Sequence, residues 1–271
     1  MNRLAAKRLI PRVIRDALRR VRRSQEFSGR FSDWGAARAT CTGYDSDVIL
    51  ARVLASTLAV VEGKAAYERD GVLFHDPSYE PGLLAALLSV AGHHGGRLRV
   101  IDFGGALGTT YWRHRRAFDH LEEVVWDVVE QPAFVAAGRA HLGATPLRFF
   151  ASVEDAQAFR GHEVLLVSTA LQYLEAPGAW IDRWLAQGWP TIIFNNLPLI
   201  DGAPDRIAVQ KVPKSIYPAS YPVWFLNRQA FLGRFEADYG LEAEFASEAV
   251  WQVGWDDLAS TGLIFNRRTR R

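Results

Sequence analysis

The sequence predicts an α/β fold: a Rossmann-like, doubly wound, mostly parallel sheet of seven strands, preceded by a helical N-terminal block. Three observations carry this prediction. The stretch 99–112, RVIDFGGALGTTYW, reads as a buried strand, a glycine turn and a helix start. From residue 97 to 194, short apolar runs alternate with helix-compatible stretches, the rhythm of a parallel sheet with crossover helices. Before residue 97, helical patterns dominate.

At 271 residues, 49% of them apolar, the chain suits one domain of moderate size with an appendage. Cys41 is the only cysteine, which excludes an internal disulfide and fits a reducing, cytoplasmic setting. No zinc-type spacing of Cys and His occurs, and no metal is expected. No apolar run is long enough to span a bilayer, and no signal-peptide core follows the basic N-terminal residues. The net charge of +2 is unevenly spread: ten of the 32 Lys and Arg lie in residues 1–30 beside two acids, so the remainder is net acidic.

Three segments are expected. Residues 1–23 read as a basic amphipathic helix, with Ile10, Val13, Ile14, Ala17, Leu18 and Val21 at three- and four-residue spacing and Pro11 marking a kink or a start. Three readings compete for it: a helix on an anionic membrane surface, a nucleic-acid patch, or a solvated helix docked by its apolar side. Residues 24–96 read as a helical cap. Within it 27–44 is an aromatic-rich connector, helix follows from Ser46 to Gly63, a turn falls at Asp70-Gly71, and a further helix ends at Gly92. Residues 97–271 form the core. Strands are expected at 97–103, 123–130, 147–150, 164–168 and 191–194, and helices at 109–120, 132–142, 153–159 and 178–187. Residues 196–226 hold too many prolines for regular structure. A helix near 227–239 then leads to an antiparallel pair, 241–247 and 262–266, that completes the sheet.

In doubly wound sheets, ligands sit outside the C-terminal ends of the strands. Gly104–Gly108, Glu130, Ser152, Ser168–Tyr173 and Asn195-Asn196 all fall at such ends. The turn lacks the Gly-Lys-Ser/Thr of a phosphate loop, and the second and third glycines of a dinucleotide fingerprint fall on Ala106 and Thr109. What remains, Asp-x-Gly-Gly-x-x-Gly from Asp102 to Gly108, resembles the first motif of class I S-adenosylmethionine (SAM) methyltransferases. That resemblance implies a glycine turn beneath the methionine part of SAM and an acid after the next strand on the ribose hydroxyls. Glu130, twenty-eight residues after Asp102 and ending VVWDVVE, fits that place.

Four longer stretches resemble a narrower group, the SAM-dependent methyltransferase family found in bacterial surface-polysaccharide gene clusters. They are IDFGGALGTTYW (101–112), VVEQPAFVAAG (128–138), LLVSTALQYLEAP (165–177) and VQKVPKSIYPASYPVWF (209–225); the connector 27–45 fits as well. The resemblance implies a class I methyltransferase core and a sugar or glycolipid acceptor. One departure stands out: where the family has an Asp-Arg pair after strand five, this chain has Asn195-Asn196.

The expected cofactor residues are Asp102, Gly104, Gly105, Ala106, Gly108, Glu130, Gln131, Ser152, Ser168 and Thr169. For several a plainer role competes: Glu130 as a surface carboxylate at a helix start, and Gln131 and Ser152 as helix caps. On the acceptor side stand Gln172, Tyr173, Lys211, Tyr217, Tyr221 and Trp224. The tyrosines and tryptophan would stack on a sugar ring and the lysines, Lys214 included, would meet phosphate; the alternative is a proline-stiffened loop packed by its own aromatics. No general base is legible; His75, Tyr173 and Tyr221 are the candidates, while His114 and His162 read as surface residues. Tyr111 and Trp112 read as core. The leading function is a SAM-dependent methyltransferase acting on a hydroxyl of a saccharide or lipid-linked glycan, cytoplasmic, with peripheral membrane contact through residues 1–23. The alternative is a non-catalytic SAM-binding or scaffold protein on the same fold. Nucleic acid is not an expected partner, because the positive charge gathers at the termini.

Overall fold

The structure, a computed structural model, describes residues 26–42, 46–143, 145–212, 219–253 and 256–268. The predicted helix over 1–23 lies outside these residues, as do Lys214 and Tyr217. In chain order the strands are β1 (Glu26–Phe31), β2 (Tyr67–Arg69), β3 (Val72–Phe74), β4 (Arg97–Phe103), β5 (Glu123–Val129), β6 (Leu147–Phe150), β7 (Val164–Ser168), β8 (Thr191–Leu197), β9 (Leu199–Ile200), β10 (Arg206–Lys211), β11 (Ser220–Asn227), β12 (Tyr239–Val253) and β13 (Asp256–Arg267). The helices are α1 (Trp34–Ala39), α2 (Ser46–Val61), α3 (Pro81–His93), α4 (Thr109–His114), α5 (Pro132–Leu142), α6 (Val153–Phe159), α7 (Pro177–Gln187) and α8 (Arg228–Gly233).

Seven strands form the expected mostly parallel sheet, in the order β6-β5-β4-β7-β8-β13-β12. β4 to β8 run parallel, while β13 is antiparallel to β8 and to β12. Strand alternation splits the core into two layers. Leu98, Val100, Trp126, Val128 and Ile193 face the side covered by α2, α3, α4 and α5. Ile101, Leu165, Val167, Ile192 and Phe194 face the side covered by α6, α7 and α8. Asp70 and Gly71, both at positive φ, make the tight turn between β2 and β3, as an Asp-Gly pair favours.

Two expectations are corrected. The connector 27–44 is not loop alone: it holds β1 and α1, with Asp33 capping α1 by accepting from the Ala36 amide at 2.8 Å. The segment 196–226 is not irregular either: it carries β9 and the β10–β11 hairpin. Pro198 and Pro204 fall between strands, and Pro222 sits where β11 pairs only with β10, so its missing N–H interrupts no ladder on the other side. The helix expected over 227–239 is the shorter α8, capped by Asn227, and the helix expected over 109–120 stops at His114 and continues as a 3₁₀ turn to Phe118.

These added strands extend the sheet beyond β12 in the order β1-β10-β11-β9. β9 follows β8 across Pro198, and the Leu226 amide donates to the Pro198 carbonyl at 3.2 Å. The row therefore leaves the sheet at β12 and curls back to the end of β8. Its interior is filled by Phe27, Ala208, Val223 and Phe225, with Tyr173, Ile200 and Leu258 packed against them. Outside, Ile207 and Val209 pack under α1.

Candidate active site

The site begins at the glycine turn, where the backbone takes conformations closed to most side chains. Gly104 and Gly108 stand at φ +71° and +86°, and a Cβ on either would lie 2.7 Å from Ala170 Cβ or 2.5 Å from Leu147 Cδ1. A Cβ on Gly105 would lie 2.5 Å from the Asp102 carboxyl. Ala106 is also at positive φ, +52°. The turn hangs on β5 through the Gly104 amide, which donates to the Val129 carbonyl at 2.9 Å.

Asp102 lies beneath this turn, fully buried. The Trp126 indole N–H donates to its Oδ2 at 3.0 Å, whereas its Oδ1 has no partner among the described residues. Burial pushes its carboxyl up to about 7 against the opposing Trp126 bond. Glu130, at the tip of β5, reaches back to the turn: its Oε1 accepts from the Ala106 amide at 3.3 Å and its Oε2 from the Gln131 amide at 2.6 Å. Burial raises its carboxyl too, against those two amide bonds. The two features singled out in the sequence, a bare turn and an acid on the next strand, are therefore in hydrogen-bond contact. Gln131 is exposed and makes no side-chain cap. Ser152 caps α6, accepting from the Asp155 amide at 3.1 Å.

Beyond the turn, the segment after β7 bridges to the curled part of the sheet. Thr169, at φ +56°, donates its amide to the Asn195 carbonyl at 3.0 Å, and Ser168 Oγ accepts from Asn195 Nδ2 at 3.1 Å. Ala170 packs against Gly104. Gln172 is buried and its Nε2 approaches the Asn196 carbonyl at 3.4 Å. Tyr173 donates its hydroxyl to Gln210 Oε1 at 2.8 Å and meets the Tyr221 ring edge-on at 5.2 Å.

The place of Asn195-Asn196 is now explicit. Asn195 donates to Glu80 Oε2 at 2.8 Å and accepts from Ser247 at 2.8 Å. Glu80 in turn accepts from Arg113 at 2.6 Å, and Arg113 reaches Glu248 at 2.7 Å, the Ser78 carbonyl at 2.8 Å and the face of Tyr67. An acid and an arginine thus do stand at the end of β8, but they come from the helical cap and from α4. Sequence reading missed Glu80, Arg113, Glu248 and Gln210. Glu80 alone had a local signal, its position before Pro81 at a helix start.

Several expected placements are corrected. Trp224 lies on the face of β11 opposite Tyr221, because strand side chains alternate, and stacks on Trp34 at 6.1 Å outside the curled sheet. Lys211 is exposed on β10, turned away from Gln210 by the same alternation. His75 is exposed and makes no hydrogen bond among the described residues. His114 is not on the surface: it is fully buried, accepts the Glu80 amide on Nε2 at 3.0 Å, and burial lowers its ring to about 4. The His162 side chain is enclosed as well, against Asp127 at 2.9 Å. Tyr111 and Trp112 pack in the core as expected. A cavity of about 390 Å³ lies at the other end of β8, lined by His93, His94, Thr191, Glu242 and Asn266, away from the turn. Among the described residues no group of three His, Cys, Asp or Glu could hold a metal ion, and no helix is long and apolar enough to cross a membrane.

No family model matches the chain, and no curated protein matches it. Solved structures similar to it include the N-terminal domain of EvdMO1 in the presence of SAH and D-fucose, at 15% identity over 83% of this chain and 98% of that one, with a TM-score of 0.47. A SAM-dependent methyltransferase from Clostridium acetobutylicum ATCC 824 follows at 5% identity, 70% and 92% coverage and a TM-score of 0.45. CalS10, an amino pentose methyltransferase from Micromonospora echinaspora with SAM bound, aligns at 12% identity, 70% and 92% coverage and a TM-score of 0.42.

Proposed function

We propose that this chain is a SAM-dependent methyltransferase whose acceptor is a hydroxyl on a saccharide or lipid-linked glycan intermediate of cell-surface polysaccharide assembly. The observation that carries the donor half is the bond between Glu130 and the Ala106 amide at 3.3 Å, which ties the tips of β4 and β5 into one polar edge beside a glycine-rich turn. These residues fit the group. Each oxygen of a carboxylate accepts two hydrogen bonds, so Glu130 keeps one free position on each oxygen for a vicinal ribose diol. Gly104, Gly105 and Gly108 let the turn pack closely on Ala170, the Asp102 carboxyl and Leu147, which leaves its backbone as the surface a donor's amino-acid end would meet. When bound, SAM supplies an electrophilic methyl carbon on a sulfonium. The chain's part is alignment, which contributes on the order of 7–11 kcal/mol when ideal. The Ser168–Tyr173 segment, between the turn and the curled sheet, is where an acceptor would meet that carbon. The four stretches that resemble the polysaccharide-cluster methyltransferases support the acceptor class.

Titration calorimetry with SAM and with SAH tests the donor reading. Wild type is expected to bind both, and Glu130→Ala to weaken binding at least tenfold while remaining folded. A wild type that binds neither overturns the methyltransferase reading and leaves a scaffold on this fold. The basic segment 1–23 supports a peripheral contact with the inner face of the membrane. Full-length chain is expected to pellet with anionic liposomes and a chain lacking 1–23 to stay in the supernatant; equal pelleting overturns that contact.

A further inference from the structure

The cavity of about 390 Å³ at the start of β8 lies at the opposite end of the parallel strands from the glycine turn. Four elements enclose it. α3 turns one face of its last two turns inward, with Ala86, Val90 and His93 spaced three and four residues apart. Thr191 begins β8, Ile264 and Asn266 share one face of β13, and Glu242 comes from β12. Ala86, Val90 and Ile264 are buried and make an apolar wall, whereas Ser89, His93 and Glu242 are exposed at the rim. A hollow of this size falls within the range of small-molecule sites, about 300–1,000 Å³.

The lining has a carboxylate, that of Glu242, and among the described residues no lysine or arginine. Arg267, next to Asn266, is turned by strand alternation to the opposite face, where its Nη1 donates to the Gly188 carbonyl at 3.0 Å. A chain of bonds holds the carboxylate in place. Thr191 Oγ1 donates to Asn266 Oδ1 at 2.8 Å, and Asn266 Nδ2 donates to Glu242 Oε2. α3 also ends here, and the C-terminal end of a helix carries partial negative charge. A held carboxylate and a helix C-terminus favour a cation, and the apolar wall favours an alkyl stem. We propose that this cavity binds a small aliphatic primary amine. Its ammonium donates to Glu242 and, with its remaining N–H groups, to the Ser89 hydroxyl or the His93 ring. Its chain lies along Ala86, Val90 and Ile264. A metal ion is the poorer fit, since no group of three His, Cys, Asp or Glu among the described residues could hold one. The inference does not rest on the donor reading, which concerns the other end of the strands.

Saturation-transfer NMR on the full chain at pH 8, with n-butylamine, n-butanol and n-butyrate as probes, tests the site. Butylammonium is expected to receive saturation from wild type, and the neutral and anionic analogues at most about a fifth as much. Glu242→Gln still accepts from Asn266 but has lost its charge, so it should weaken the butylammonium signal at least about fivefold. Ser89→Trp, at an exposed rim position, should abolish the signal by filling the hollow. Thermal melts report folding; if one variant melts early, the other decides. SAH titration on the same samples reports the donor site separately. Failure of SAH to bind, with a butylammonium signal that still needs Glu242, removes the donor reading and leaves the amine site. Equal signals from butylammonium and butanol would show an apolar hollow only and overturn the proposal. No signal from wild type, or one indifferent to both substitutions, overturns it as well.

Discussion

Asp102 answers two requirements that pull against each other. Its carboxyl fills the space a Cβ on Gly105 would need and accepts from Trp126, yet burial holds it near 7. Between the ordinary value of 3.8 and about 7, the folded chain keeps a proton that the unfolded chain has released. The stability from this group is therefore full below pH about 4 and falls away as pH rises to about 7. Asp102→Asn removes that dependence. Urea unfolding should show the variant gaining on wild type from pH 5 to pH 8; a constant difference would contradict a buried, proton-retaining carboxyl. At this scale the contact between the glycine turn and Glu130 was legible, because positive φ calls for glycine and the strand–turn–helix pattern fixes where the neighbouring strand's tip falls. Gln210 and Glu80 were not. Their partners, Tyr173 and Asn195, lie 37 and 115 residues away in sequence, and nothing local announces such a bond.

At the scale of elements, parallel strands and their helices were readable from apolar runs, and β4, β6 and β7 keep their predicted limits. β1, β10 and β11 were obscured for one reason each. β1 has Gly29 at φ +82° and a register shift between Ser28 and Phe31, so its alternation is broken. β10 and β11 are flanked and interrupted by proline, which signals loop unless the strand is unpaired on one side. What holds β1 is largely Phe27, buried and edge-on to Phe225 at 5.5 Å. Phe27→Ala should cost about 3–5 kcal/mol in equilibrium unfolding. A loss under about 1 kcal/mol would mean that the curled part of the sheet closes without this strand.

At the scale of the whole molecule, one chain of contacts joins the cap to the core. It runs from Glu248 on β12 through Arg113 on α4 and Glu80 ahead of α3 to Asn195 on β8. Arg113 is 4% exposed at its side chain, so removing it strands the buried Glu80 carboxylate. Arg113→Met should destabilise by about 3–5 kcal/mol, and adding Glu80→Gln should restore much of it, since an uncompensated buried charge is the main loss. Equal additive losses in denaturant titrations would mean the two act separately. Strand order has a consequence for how the protein is made. β1 pairs with β10 and with β12 and with no strand between them in sequence. Translation proceeds at about 5–20 residues per second, so the N-terminal strand waits roughly 10–40 s after its own synthesis for its first neighbour to emerge. During that interval a ribosome-bound chain presents Phe27 and Phe31 on an open backbone edge, the surface on which a holding chaperone acts.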